Sequence, residues 1–215
     1  MLKVASTLIA GLVAMGGWAV VTVKDLPEYF VAGQQYTIEF AVRQHGRTFL
    51  NGLRPQVVVM TPGARDAIIP AVPRSSEGTY AATFTAPASG PVSLTIRSGF
   101  GNAELHLYPE TVVAAGTSRP AIAAPERGQM LFVAKGCNTC HSNIDLADRP
   151  DNQVALTVGP ELGGRHLARE YVIQKLKNPA SQVTPDLGLS DAEASAIAAF
   201  LSGARAAATG GGAGR

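Results

Sequence analysis

The amino-acid sequence predicts a two-domain chain, an all-β sandwich followed by a small all-α domain. Three observations predict it. Residues 18–114 carry apolar side chains at strand period, residues 115–125 are rich in Ala and Pro, and the apolar residues that follow recur at helical period. A length of 215 residues accommodates two small domains. A formal net charge of +2 gives no case for a nucleic-acid partner. Both cysteines fall within one four-residue stretch, which excludes a disulfide framework.

The N-terminus reads as an export signal. Lys3 supplies the positive end, and an apolar run over residues 4–23 carries no charge before Lys24. Ala14, Gly16 and Gly17 offer small residues for cleavage, which puts the signal or anchor at 1–17. The run also approaches the roughly 20 residues that a bilayer span requires, so a cleaved signal, a retained anchor and a merely buried N-terminal segment all stay open. Its second half, from Trp18, is rich in strand-forming residues. Either of the first two readings places the folded protein outside the cytoplasm, in the periplasm or on the outer face of the cytoplasmic membrane.

In the β region Tyr36, Ile38, Phe40 and Val42 alternate with Thr37, Glu39, Ala41 and Arg43, so the first set is expected in a core and the second in water. The same alternation recurs at Tyr80, Ala82 and Phe84 and at Val92, Leu94 and Ile96. Val57, Val58 and Val59 form a continuous run expected in a more buried strand. Turn residues such as His45-Gly46, Asn51-Gly52, Pro62-Gly63 and Glu77-Gly78 separate the runs, and roughly seven strands are expected.

Residues 115–125 read as a linker. Beyond them Gly128, Leu131, Phe132 and Lys135 lie on a first helix. A second is expected over about 167–177, ending before Pro179. A third opens with Ser190 as N-cap and Glu193 three positions on, a capping box, and stops at Gly203. The helical domain is bounded at 126–203, and the Gly/Ala-rich tail 204–215 is expected to be disordered.

The chemistry concentrates in Cys137-Asn138-Thr139-Cys140-His141. In a C-x-x-C-H pattern the two thiols add to the vinyl groups of haem, and the histidine that follows reaches the iron as its proximal ligand. A thioredoxin-like dithiol needs a βαβ setting that is absent here, and a zinc site needs further ligands while no other Cys exists. One covalent haem c is therefore the expected cofactor.

Several stretches in order extend the pattern: Gly128-Gln129-Met130-Leu131-Phe132, Lys135-Gly136-Cys137, Gly159-Pro160-Glu161-Leu162, Leu176-Lys177-Asn178-Pro179 and Leu187-Gly188-Leu189-Ser190-Asp191. With them, residues 126–203 resemble a class I cytochrome c domain. The resemblance implies that Gly128 and Phe132 cross the last helix near Phe200, and that the Pro160 carbonyl accepts a hydrogen bond from the His141 ring, a contact that orients the ring and raises its basicity. It also implies an arginine beside a haem propionate, for which Arg165 is the candidate, with a solvated loop arginine as the plainer reading.

The sequence departs from that family at the sixth ligand. Class I domains usually supply a Met ahead of the last helix, but Met occurs here only at 1, 15, 60 and 130. Thr184 holds the Met position before Pro185, and the loop 180–184 looks shortened. Three outcomes stay open: His166 as distal ligand, a Lys such as Lys175 or Lys177, or an open distal site.

The β region is similar to small immunoglobulin-like sandwich modules of exported bacterial proteins, an impression carried by Leu26-Pro27 through Gly33 and by Arg43-Gln44-His45-Gly46. Its potential metal ligands, His45, Met60 and His106, are scattered and lack a Cys, so no copper centre is expected. His106 alternates with Leu105 and Leu107 and is expected to face water. Together these features point to a single-haem electron carrier rather than an enzyme, working with redox partners in a membrane respiratory complex, with the sandwich as docking module. The alternative is a haem-based gas or redox sensor with an open distal site. A peroxidase would need a distal acid–base residue, for which only His166 is at hand.

Overall fold

The structure, a computed structural model, describes residues 17–119, 121–146, 158–179 and 186–203. The export run up to residue 16, the loop with Thr184 and Pro185, and the tail 204–215 lie outside the described residues.

The β domain contains β1 (Ala19–Val23), β2 (Phe30–Val31), β3 (Gln35–Gln44), β4 (Thr48–Phe49), β5 (Gln56–Met60), β6 (Ala67–Pro70), β7 (Val72–Pro73), β8 (Thr79–Thr85), β9 (Pro91–Arg97), β10 (Glu104–His106) and β11 (Glu110–Val113). Among the described residues, seven of these strands are four residues or longer. One sheet runs β1-β3-β8-β7 with β4 on β3, and the second runs β2-β11-β9-β5-β6 with β10 on β9. All pairings are antiparallel except β2 with β11.

The strand period decides which side chains fill the core. Ile38, Phe40 and Val42 of β3 are buried, and their neighbours Thr37, Glu39, Ala41 and Arg43 are not. Tyr80, Ala82 and Phe84 meet them across the β3–β8 pair, and Val92, Leu94 and Ile96 close the core from the second sheet. His106 departs from the expectation. Its side chain keeps only 20% exposure, beside Thr95 Oγ1 at 3.0 Å and Glu104 at 3.4 Å, because β10 pairs with β9 and lays its outward side chain along Thr95.

β1 is buried along its whole length. Ala19, Val21 and Val23 belong to the sandwich core, whereas the alternate residues Val20 and Thr22 face the helices. The last five residues of the N-terminal apolar run are therefore a sheet strand and do not belong to a membrane-spanning helix. Among the described residues no helix is long and apolar enough to cross a membrane.

The helical domain has α1 (Ala124–Ala134), α2 (Arg169–Lys177) and α3 (Asp191–Leu201). Pro125 opens α1, where its missing N–H costs no helical bond, and Glu126 complements the helix dipole. The first helix thus begins inside the stretch read as linker. The expected capping box is present on α3: Ser190 Oγ accepts from the Glu193 amide at 3.2 Å, and Glu193 accepts from the Ser190 amide at 3.0 Å. α1 and α3 cross where Gly128 removes a side chain, and Phe132 meets Phe200 edge to face with ring centroids 5.7 Å apart.

The two domains share a packed junction. Arg127 of α1 donates to the carbonyls of Leu26 and Pro27, and Gln129 Nε2 donates to the Tyr108 hydroxyl at 2.9 Å. At the other end of α1, Lys135 Nζ donates to the Lys24 carbonyl at 2.5 Å, and the Thr22 hydroxyl bonds the Lys135 carbonyl at 3.4 Å.

Candidate haem-binding site

The C-x-x-C-H segment follows α1 directly. Gly136 turns the chain with φ +75°, a left-handed conformation that suits glycine. Its bare Cα is also required by contact, since a Cβ would fall 2.6 Å from Val20 Cγ1 and from the Val21 carbonyl oxygen. A single 3₁₀ turn, Cys137–Thr139, follows. The amides of Cys140 and His141 donate to the Cys137 carbonyl at 3.1 and 2.9 Å. In a 3₁₀ turn residues i and i+3 eclipse, so Cys137 and Cys140 share one side of it, and His141 follows directly. The two cysteines are not bridged to each other. Burial pushes the Cys137 thiol up to about 12, Cys140 adds to this, and Lys135 opposes it. Burial also raises Cys140.

The segment around Pro160 lies alongside. The Gly159 amide donates to the Cys140 carbonyl at 2.9 Å, and the Leu162 amide donates to the Ser142 carbonyl at 2.9 Å. His141 Nδ1 stands 2.9 Å from the Pro160 carbonyl oxygen. A carbonyl can only accept, so Nδ1 carries the proton and Nε2 keeps its lone pair for a metal. Gly159 packs under the same ring: a Cβ there would lie 2.4 Å from His141 Cε1. Glu161 fastens the loop by accepting from the Ser142 hydroxyl and, at 2.8 Å, from the Gly163 amide. The Ser142 bond is the main reason its carboxyl sits below the usual range, with the Gly163 amide second.

The remaining sequence candidates are dispersed. Arg165 is exposed. His166 follows it with φ +46° and lies at the end of α3, where a Cβ on Gly203 would fall 2.1 Å from its Nδ1. Lys175 stands over the Tyr171 ring at 5.6 Å, and Lys177 pairs with Asp191. In the β domain His45 contacts the Trp18 ring, with centroids 5.5 Å apart, far along the chain from Met60 and His106. Among the described residues no three of His, Cys, Asp or Glu cluster to hold a metal ion.

The residues present fit a haem. One turn carries both cysteines and leads directly into an imidazole whose Nδ1 is already bonded. Gly159 leaves the ring no obstruction, and large apolar side chains next to these segments, Ile144 at 80% and Val158 at 56% exposure, offer surface for a flat apolar ring system. The sequence reading did not single out Gly136 and Gly159 for their close contacts, nor Lys135 as a buried charge. A lysine two residues before a haem cysteine gives no sign of burial, because its cover comes from β1 and the residue after it, more than a hundred residues away.

Comparison with known proteins agrees with this geometry. Residues 123–201 match the family model described as cytochrome C oxidase, cbb3-type, subunit III. These residues form a c-type cytochrome domain. The cytochrome domain binds covalent haem c. None of the curated proteins matches the chain. Among solved structures, the filamin domain of Lin-41 is 18% identical, with 44% of this chain and 91% of that one covered and a TM-score of 0.36. A superoxide reductase (neelaredoxin) from Ignicoccus hospitalis is 16% identical, with 44% and 80% covered and a TM-score of 0.31. Both likenesses are too distant to bear on the fold or function of the β domain.

Proposed function

We propose that this protein is a single-haem electron carrier, exported to the periplasm or the outer membrane face, that works with redox partners in a membrane respiratory complex. In this reading Cys137 and Cys140 hold the haem through thioethers and His141 ligates iron through Nε2. Pro160 orients the ring, and Arg165 lies at a propionate. Haem c supplies one-electron chemistry at iron. The observation that carries the reading is the 2.9 Å contact of His141 Nδ1 with the Pro160 carbonyl, which fixes the tautomer and the ring orientation. Electron transfer needs no acid–base pair. The β domain, read as an immunoglobulin-like module, serves docking through faces other than the one packed on α1.

A second reading, a gas or redox sensor with an open distal site, is favoured by one observation: no Met follows residue 130. Absorption spectra of the exported, haem-loaded protein, oxidised and reduced, with and without carbon monoxide, decide between the two. A low-spin spectrum indifferent to carbon monoxide supports the carrier, and His166→Ala then asks whether that side chain closes the site. A high-spin spectrum that shifts on adding carbon monoxide supports the sensor.

A further inference from the structure

Lysine is rarely buried without a partner, yet the Lys135 side chain keeps 1% exposure. Its ammonium donates to the Lys24 carbonyl at 2.5 Å and lies 2.7 Å from Glu193 Oε1. Three separate parts of the fold meet there: the residue after β1, the C-terminal cap of α1 and the first turn of α3. The other oxygen of Glu193 accepts from the Ser190 amide at 3.0 Å, so the carboxylate is held from both sides. Burial pushes the Glu193 carboxyl up, but hydrogen bonds from Lys135 and the Ser190 backbone outweigh it and leave the group below its usual range.

The lysine of this pair leads into the haem-attachment turn. Lys135 precedes Cys137 by two residues, and among the charges acting on the Cys137 sulfur its ammonium is the one that favours the thiolate. Val20 and Val21 close on Gly136, and the Thr22 hydroxyl covers the Lys135 carbonyl. β1 thus lies along the Lys135 end of the pair, while Glu193 keeps 16% side-chain exposure. In such surroundings a charge acts more strongly than at a surface and is screened less by salt.

We propose that Lys135 and Glu193 form a charge pair that sets the reduction potential of the haem, and that β1 covers the lysine end of the pair. The proposal rests on the haem reading of the attachment segment. An oxidised haem carries one more positive charge than a reduced one, so a nearby cation favours reduction and a nearby anion favours oxidation. The intact pair is close to neutral, and removing either member exposes the haem to the other.

The test is a potentiometric titration at pH 6 of the haem-loaded full chain carrying Lys135→Met, Glu193→Gln or both, at low and high salt. At a fixed poise, K135M is expected to move the reduced-to-oxidised ratio severalfold toward oxidised. E193Q should move it severalfold toward reduced, and the double variant should return it near the wild type, all with little dependence on salt. Mere loosening of the fold would wet the haem and move both single variants the same way. Shifts of one sign, no shift, or shifts erased by salt overturn the proposal. If K135M yields no haem-loaded protein, E193Q decides alone: a move toward reduced supports the proposal, and no move or the opposite one overturns it. A wild-type chain without covalent haem by mass overturns the underlying reading together with the proposal. A loaded wild type with failing variants overturns only the charge pair.

Discussion

Gly128 of α1 faces the main chain of Ala196 in α3 so closely that a Cβ would fall 2.0 Å from the Ala196 carbonyl oxygen and 2.8 Å from Phe200 Cβ. Both obstacles are fixed parts of α3 and cannot swing aside. Gly128→Ala should therefore force α1 and α3 apart and destabilise the protein by at least the roughly 1–3 kcal/mol of core overpacking. Thermal unfolding of the haem-loaded protein checks this. An unchanged melting temperature would mean that the crossing is looser than described.

Gly159→Ala addresses the ring itself. The added methyl would meet His141 Cε1 and Nδ1 at 2.4 and 2.5 Å, turning the imidazole away from the Pro160 carbonyl. The expected outcome is a perturbed iron–histidine bond, read as a shifted Soret band or an altered resonance Raman iron–nitrogen stretch, at nearly unchanged stability of the β domain. A wild-type spectrum in the variant would remove Gly159 from the site.

Gly136→Ala and Gly164→Ala form a controlled comparison. Both positions are left-handed, at φ +75° and +68°, so each substitution carries the backbone cost of roughly 1–2 kcal/mol. A Cβ at Gly164 meets open space, whereas one at Gly136 strikes Val20 and the Val21 carbonyl. Chemical denaturation should show Gly136→Ala to be the more damaging by a further 1–3 kcal/mol or so. Equal losses would mean that β1 does not bear on the attachment turn.

Glu110 gives a pH prediction. Its side chain is buried, its carboxyl oxygens have no hydrogen-bond partner among the described residues, and burial pushes it up to about 8, with Arg127 opposing and Glu28 reinforcing. Between the ordinary glutamate value of 4.5 and about 8 the folded state holds a proton that the unfolded chain has released. Stability therefore falls as pH rises through that window and levels off above it. Glu110→Gln should flatten the curve, matching the wild type near pH 4 and exceeding it at pH 8 by a few kcal/mol, at about 1.4 kcal/mol per pH unit. Urea unfolding at several pH values tests it, and parallel curves for the two proteins would refute it.

Much of this architecture was legible in the residues because local rules carried it. The alternation in β3 needs only the strand period, the cap of α3 needs only Ser190 and Glu193, and the haem turn needs only five consecutive residues. What escaped depends on partners distant in sequence. The Val20-Val21-Thr22 stretch reads as strand-forming, but that both of its faces are covered becomes visible only once α1 is packed against it. Lys135 looks like any solvated lysine until Lys24 and Glu193 surround it, and His106 looks outward until β10 settles beside Thr95.

The chain enters the sandwich at Trp18, on the same side of β1 as Val20 and Thr22, and those two residues touch the turn that carries the haem. An anchor retained ahead of residue 17 would therefore join the folded protein at the strand that touches this turn. The Ala/Pro stretch between the domains would then add nothing to its reach.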